Sequence, residues 1–458
     1  MTRYSKDPQT DKSLHHSLKD AVAFSVMSGS IETYFSAFAL VLKATVSQVA
    51  LLTTLPNLLG SLAQLLSAWL GHRLNRRKPL IVYGALFQAS ILPFMVILPN
   101  VWPESAILVL LVSLTLYYAA GHFIAPQWMS LMGELVTAKR RGRFFGRRTS
   151  LATITSFLSL CTAGIVLHVL DKLQQAMLGF ALLFAIGLIA RLVSVYHLAK
   201  MHEPTQHSAS IETVHDIHWL KQPAFRPALR FSRFYVLMQG MVGISAPFFA
   251  VYMLNTLHFT YLEFMANTGT SVLVQFLMLR HWGRISDVMG NRLVLQVTGW
   301  IIPFLPALWL VSPSFFYLLA IQVISGFCWA GFSLSANNIL YELIPREKRA
   351  TYLAVQNVTM TLGVFIGSML GVLVTRTLPA QLTVFGVEIS FAATLMWAFV
   401  LSSVMRILVS LLFLPKVQEL RTPRRKTTPY ELVYRFTRFN AFSGLIYEIV
   451  SKVNKSDR

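Results

Sequence analysis

The chain has 458 residues, 55% of them hydrophobic and only 13% charged, with a mean hydropathy of +0.56. A soluble globular protein carries nearer to about 25% charge, so an ordinary soluble enzyme is excluded first. The formal net charge of +21, from 40 Lys and Arg against 19 Asp and Glu, would suit a nucleic-acid partner, but the cations sit in loops between apolar runs and no such partner is expected.

In chain order, residues 1–19 hold Arg3, Lys6, Asp7, Asp11, Lys12 and Lys19 without the apolar core of a cleavable signal, and read as a cytoplasmic N-terminal segment. Apolar stretches then predict spans near 20–42, 48–70, 79–98, 106–131, 149–169, 174–198, 231–254, 261–280, 292–311, 314–340, 351–374 and 384–414. In hydrocarbon every backbone N–H and C=O needs an internal partner, so runs of this length are expected to be helices. The predicted fold class is an all-α integral membrane protein with twelve transmembrane helices. The segment 199–230, rich in His, Pro and charge, reads as a cytoplasmic linker between an N-terminal bundle, 20–198, and a C-terminal bundle, 231–414. The tail, 415–458, carries RTPRRK and then Leu432, Phe436, Phe439, Phe442, Ile446 and Ile449 at helical spacing. An amphipathic helix lying on anionic inner-leaflet lipids fits this pattern, with a partner-binding tail as the alternative.

Alternate loops differ sharply in charge. One set, with both termini, holds 35 of the 40 cations, whereas the opposite set holds only Lys43, Lys172 and Arg376. The positive-inside rule places the first set, and both termini, in the cytoplasm of a cell membrane, plasma or bacterial inner. Trp102, Trp128, Trp282 and Trp309 fall near span ends and read as interfacial anchors. Cys161 and Cys328 lie in apolar runs, so neither a disulfide framework nor a zinc site is expected, and no cofactor or metal is implied.

The sequence also repeats. GHRLNRRKPL from Gly71 has a partner in GRISDVMGNRLVL from Gly283, an offset of 212. Glu134 and Arg141 match Glu342 and Arg349 at an offset of 208, and Arg191 matches Arg406 at 215. Three landmarks in one order at nearly one spacing argue for duplication of a six-span unit, a known way to build a transporter.

At these residues the chain resembles the major facilitator superfamily, whose loop signature after spans 2 and 8 is Gly, three residues, Asp, a basic residue, then Gly and further basic residues. Gly283, Asp287, Gly290 and Arg292 fit, with Val288 in place of the usual base; in the first copy Asn75 stands where Asp is expected. The resemblance covers residues 20–414 and implies two six-helix bundles that alternate access to a central cavity. It implies further that spans 1, 4, 7 and 10 line that cavity, bringing Glu32, Tyr118, His122, Gln239, Gln322 and Trp329 to it. Packing between helices is the alternative for Gln239, Gln322 and Trp329 taken singly.

Two of these residues also stand out without the resemblance. Glu32 lies twelve residues after Asp20, about 18 Å along a helix and near mid-bilayer. A carboxylate there costs about 2.5–3.5 kcal/mol on insertion scales, so it should face a watery cavity or be protonated. Ser25, Ser28, Glu32 and Ser36 form one polar stripe, and the repeat counterpart of Glu32 is Ile244, which favours a task done once. Glu32 is expected to hold a coupling proton or a cationic group of the cargo, the alternative being a neutral Glu bonded to a neighbouring helix. His122, ten residues before Met132, suits a proton relay or a cargo hydrogen bond, or equally a packing role.

The remaining charges read as gate or scaffold. Arg191 and Arg406 occur once per half at matching depth; Glu134 with Arg141, Glu342 with Arg349, and Asp287 with Arg292 lie at the ends of spans, where ion pairs that change between inward-open and outward-open states are expected. Gly363, Gly367 and Gly371 make two GxxxG steps, read first as close packing and second as dimerisation. No GxxxxGK[ST], HExxH or GxSxG occurs, so an enzyme is not expected. The expectation is a secondary transporter of a small solute, proton-coupled, exporting an amphipathic or cationic compound. The alternatives are uptake of a metabolite or peptide, a lipid translocator, and a non-transporting membrane sensor or scaffold.

Overall fold

A computed structural model describes residues 4–5, 7–74, 76–137, 140–204, 222–345, 348–384 and 387–417. The amphipathic helix expected in the tail, most of the linker, and Asn75 of the first loop signature lie outside the described residues.

The first half runs α1 (Pro8–Ile31), a 3-10 turn (Glu32–Tyr34), α2 (Phe35–Val41), α3 (Val46–Leu74), α4 (Lys78–Val101), α5 (Ala106–Leu135), α6 (Arg141–Lys172) and α7 (Ala176–Ala199). The second half runs α8 (Arg226–Val251), α9 (Tyr261–Met289), α10 (Asn291–Ile301), a 3-10 turn (Ile302–Phe304), α11 (Leu305–Leu308), α12 (Phe315–Leu343), α13 (Arg349–Thr377) and α14 (Met396–Phe413). Helix α1 begins where Asp7 accepts from the N–H groups of Gln9 and Thr10 and Pro8 takes the first turn, a position that needs no donor. Between α9 and α10 the chain turns on Gly290 alone, at φ 93°, a conformation a side chain would resist.

Among the described residues ten helical runs are long and apolar enough to cross a membrane. The other two predicted spans fall on interrupted helices. Their first run, α1 to α2, carries Lys12, Lys19, Asp20 and Glu32 and breaks at Glu32; α10 is only 11 residues long before the turn holding Pro303. The predicted span 384–414 is too long at its start. A short antiparallel hairpin pairs Gln381 with Ser390 and Val384 with Val387, and the helix starts at Met396. Its strands, QLTV and VEIS, contain β-branched residues suited to extended backbone.

The halves pack against each other through α3 with α13 and α6 with α9. The α3–α13 seam runs from Arg376, whose Nε donates to Ser47 Oγ at 2.9 Å, to Asn357, whose Nδ2 donates to Gln64 Oε1 at 3.3 Å. A β-carbon at Gly269 of α9 would lie 3.3 Å from Leu160 of α6. One buried core continues through both halves, from Met27, Phe38 and Phe180 to Phe248, Phe332 and Phe399. Leu62, Leu66, Phe94, Leu158, Ile189 and Ile366 point outward and are exposed, as expected of helices solvated by hydrocarbon. Of the tryptophans read as interfacial anchors, Trp102 is exposed, but Trp282 and Trp309 are core residues. Trp282 donates its indole N–H to the Phe327 carbonyl, and Trp309 lies against Phe249.

The two consecutive GxxxG steps are used within the chain. Gly367 and Gly371 of α13 meet the backbone carbonyls of Gly240 and Ile244 of α8 so closely that no β-carbon fits. The packing reading of these glycines accounts for their spacing.

Candidate functional site

Glu32 sits at the break between α1 and α2. Its Oε1 accepts a hydrogen bond from the hydroxyl of Tyr117 on α5 at 2.9 Å. The same hydroxyl lies 3.7 Å from the sulfur of Met27, one helical turn earlier. Tyr118, expected from sequence to face the cavity, instead stands half-buried, edge-on to Phe35 and Tyr117. Adjacent residues on a helix point about 100° apart, so only one of the two tyrosines reaches Glu32.

His122 of α5 is half-buried and its Nδ1 lies 3.1 Å from Gln64 Nε2 of α3. Gln64 Oε1 then accepts from Asn357 of α13, which makes a polar chain from one half to the other. Beside it, Thr361 donates to Ser61 at 3.0 Å. Gln64 and Asn357 were not singled out from sequence; neither is the only amide on its helix, and only the seam between halves joins the two.

A cavity of about 330 Å³ lies inside the second half, closed on one side by Thr33, the neighbour of Glu32. Gln322 and Trp329 of α12 and Arg406 of α14 line it, together with Phe249, Phe264, Trp309 and Thr268. Gln322 donates to Asn267 Oδ1 of α9 at 2.9 Å, and Trp329 stands edge-on to Phe332. Gln239, half-buried on α8, does not line this cavity, nor do Tyr118 and His122. The structure thus brings three of the predicted residues, Gln322, Trp329 and Arg406, into one cavity, and Glu32 adjoins its wall residue Thr33.

The paired arginines have different surroundings. Arg191 of α7 donates to Ser194 Oγ at 2.9 Å; Ser194 donates to Asp20 Oδ1 at 2.7 Å; and Arg148 of α6 donates to Asp20 Oδ2 at 3.2 Å. Arg191 therefore sits one hydroxyl away from a carboxylate. Arg406 donates to Ser245 Oγ at 2.9 Å, and Ser245 donates to Ser402 Oγ at 3.1 Å. Among the described residues no carboxylate pairs with Arg406. Both arginines are only 3% exposed, and a buried cation without an anion beside it is costly.

At the basic end, repeat-related residues make repeat-related contacts. Arg141 Nη2 donates to the Gly133 carbonyl at 2.8 Å and its Nε to the Val136 carbonyl at 3.2 Å. Arg349 Nη2 donates to the Tyr341 carbonyl at 2.7 Å and the Ile344 carbonyl at 3.2 Å, the same positions one repeat later. Each arginine thus ties off the carbonyls that end the preceding helix. Glu134 pairs with Arg77 at 2.6 Å, and Glu342 accepts from Asn291 at 3.1 Å, so both acids hold the start of the helix after the signature loop. Glu203, beyond α7, accepts from the Arg77 N–H at 2.7 Å and joins this cluster. Asp287 is exposed on α9, and Arg292 reaches toward the Pro415 carbonyl at 3.5 Å.

Against this geometry, a family model described as Major Facilitator Superfamily matches residues 21–237 and again 231–447. Solved structures of similar fold include nucleoside transporter NupG, at 13% identity and a TM-score of 0.63, covering 88% of this chain and 98% of that one. An auto-inhibited POT family peptide transporter is 12% identical with a TM-score of 0.66, covering 92% and 99%. A bacterial homolog of the human lysosomal transporter Spinster, inward-facing and unoccupied, is 12% identical with a TM-score of 0.58, covering 91% and 100%. No curated protein sequence matches the chain.

Proposed function

Because the chain belongs to the Major Facilitator Superfamily, matched twice along its length, we propose that it is a secondary active transporter in which two six-helix bundles alternate access to the interior cavity and Glu32 carries a coupling proton. Twelve crossings are counted in this reading by adding the interrupted runs α1–α2 and α10–α11 to the ten continuous ones. Both termini and the basic loops face the cytoplasm of a cell membrane.

The observation that carries the reading is the position of Glu32. Its carboxylate stands where the first helix breaks, under the Tyr117 hydroxyl, and the next residue, Thr33, is part of the cavity wall. A proton gained or lost at Glu32 changes whether Tyr117 faces an anion or a neutral acid, and so changes a contact between α5 and the hinge in the first helix. The ionisable groups around Glu32 are Tyr117 and Tyr118 of α5 and, further off, Arg191 of α7. The aromatic wall of the cavity supports an amphipathic cargo.

Gate roles for Asp287, Arg292, Glu134, Arg141, Glu342 and Arg349 belong to the same proposal, with Arg141 and Arg349 as the rigid members. The α3–α13 seam, including the His122–Gln64–Asn357 chain, is the contact that would have to open.

The test begins with a thermal-shift screen of the purified protein against a solute library at two pH values, since binding stabilises the folded form by mass action. The stabilising solute is then followed in proteoliposomes under a pH gradient. Glu32→Gln is expected to abolish pH-driven flux while leaving counterflow of the solute. Unchanged pH-driven flux removes Glu32 from the mechanism, and binding without any counterflow identifies a sensor or scaffold. The sign of the gradient that drives accumulation separates export from uptake.

A further inference from the structure

We propose that the cavity at Arg406 binds an organic monoanion, a carboxylate carried on an apolar or aromatic body; this inference names the cargo class of the transporter reading above and rests on it. The cationic cargo expected from Glu32 alone is replaced by an anionic one because the cavity itself is lined by a cation.

Three independent observations lead there. Arg406 lines the cavity and is almost fully buried, yet its Nε has no hydrogen-bond partner and no carboxylate pairs with it among the described residues. A buried guanidinium is normally satisfied by a planar carboxylate that accepts two parallel hydrogen bonds. Second, the repeat shows what is missing. Arg191, its counterpart, reaches Asp20 through Ser194, whereas the residue 212 positions after Asp20 is Ser232, which lies 2.6 Å from the Tyr352 hydroxyl. The second half keeps the cation and lacks the anion.

Third, the other polar residues that line the cavity, Thr33, Thr268, Gln322 and Ser325, carry no charge, so none competes with Arg406 for an anion or repels one. Gln322 lines it, and its partner Asn267, fully buried, has an amide nitrogen with no hydrogen-bond acceptor. Phe249, Trp309 and Trp329 supply flat apolar walls. One guanidinium balances one negative charge, so a monoanion fits where a phosphate dianion would leave a charge uncompensated. With Glu32 carrying a proton beside the cavity wall, one proton and one monoanionic cargo together cross with no net charge moved.

The test uses a matched set on the purified full-length protein in detergent: 3-phenylpropionate, 3-phenylpropylamine, 3-phenylpropanol and inorganic phosphate, measured by thermal shift and titration calorimetry. The carboxylate is expected to bind at least tenfold more tightly than the other three. Arg406→Gln is expected to weaken it at least tenfold, and Arg406→Lys by less. Should either variant fail to fold, Trp329→Ala provides the second measurement, with loss of carboxylate affinity expected and the ligand-free melting temperature as the folding control. Tighter binding of the amine, the alcohol or phosphate, no binding of the carboxylate, or carboxylate affinity unmoved in Arg406→Gln overturns the proposal. Carboxylate binding without counterflow sinks the transporter reading and leaves the site standing; counterflow of an amine sinks the site and leaves the transporter.

Discussion

The carboxylate of Glu32 and the hydroxyl of Tyr117 are joined at 2.9 Å across α1 and α5, at the one residue where the first helix leaves α geometry for a 3-10 turn. Tyr117→Phe removes the donor and keeps the ring. Its loss is expected to shift the pH dependence of flux and to reduce pH-driven transport by about tenfold or more, the effect of one hydrogen bond to a charged group at about 1.5–3 kcal/mol. Tyr118→Phe, one residue away and turned toward Phe35, is expected to leave the pH profile in place. Flux measured against pH for both variants checks this, and equal effects would count against the Glu32–Tyr117 contact.

Asp20 is the anion on which Arg148 and Arg191 converge, Arg148 directly and Arg191 through Ser194. Asp20→Asn leaves those cations buried without it. The expected loss of stability is about 3–5 kcal/mol, the cost of breaking one partner from a buried pair, measured by chemical denaturation in detergent. The mirror-image change, Arg406→Gln, removes a cation that has no acid to leave behind, and the ligand-free protein is expected to lose far less. A small loss in Asp20→Asn would mean that water, not Asp20, balances Arg148 and Arg191.

Gly367 meets the Gly240 carbonyl with no room for a β-carbon, whereas a β-carbon at Gly363 would find its nearest neighbour, Val236, at 3.3 Å. Gly367→Ala is therefore expected to force α8 and α13 apart and to destabilise the protein by about 1–3 kcal/mol. Gly363→Ala is expected to cost less than half as much. Melting temperatures of the two variants decide it, and equal values would place the close approach elsewhere.

Much of this architecture was legible in one chain. Long apolar runs in alternation with basic loops imply buried helices, since hydrocarbon leaves the backbone no other partner. The repeat, read at Glu134 and Arg141 against Glu342 and Arg349, extends to atoms: both arginines bond the carbonyls eight positions earlier. The hairpin at 381–390 was missed because β-branched residues in a hydrophobic stretch suit helix and strand alike, and the pairing of its strands is a fact about the partner, not the segment.

By itself the sequence determined which residues must avoid lipid, because a charge or an amide in an apolar run is costly wherever the helix sits. Glu32, His122, Arg191 and Arg406 were visible on that ground alone. Tertiary structure decided what each one meets. A helix places its side chains around a full circle, and only the neighbouring helices determine whether Tyr117 or Tyr118 reaches Glu32, whether Gln64 finds Asn357, and that Arg191 lies within reach of an acid while Arg406 faces an open cavity.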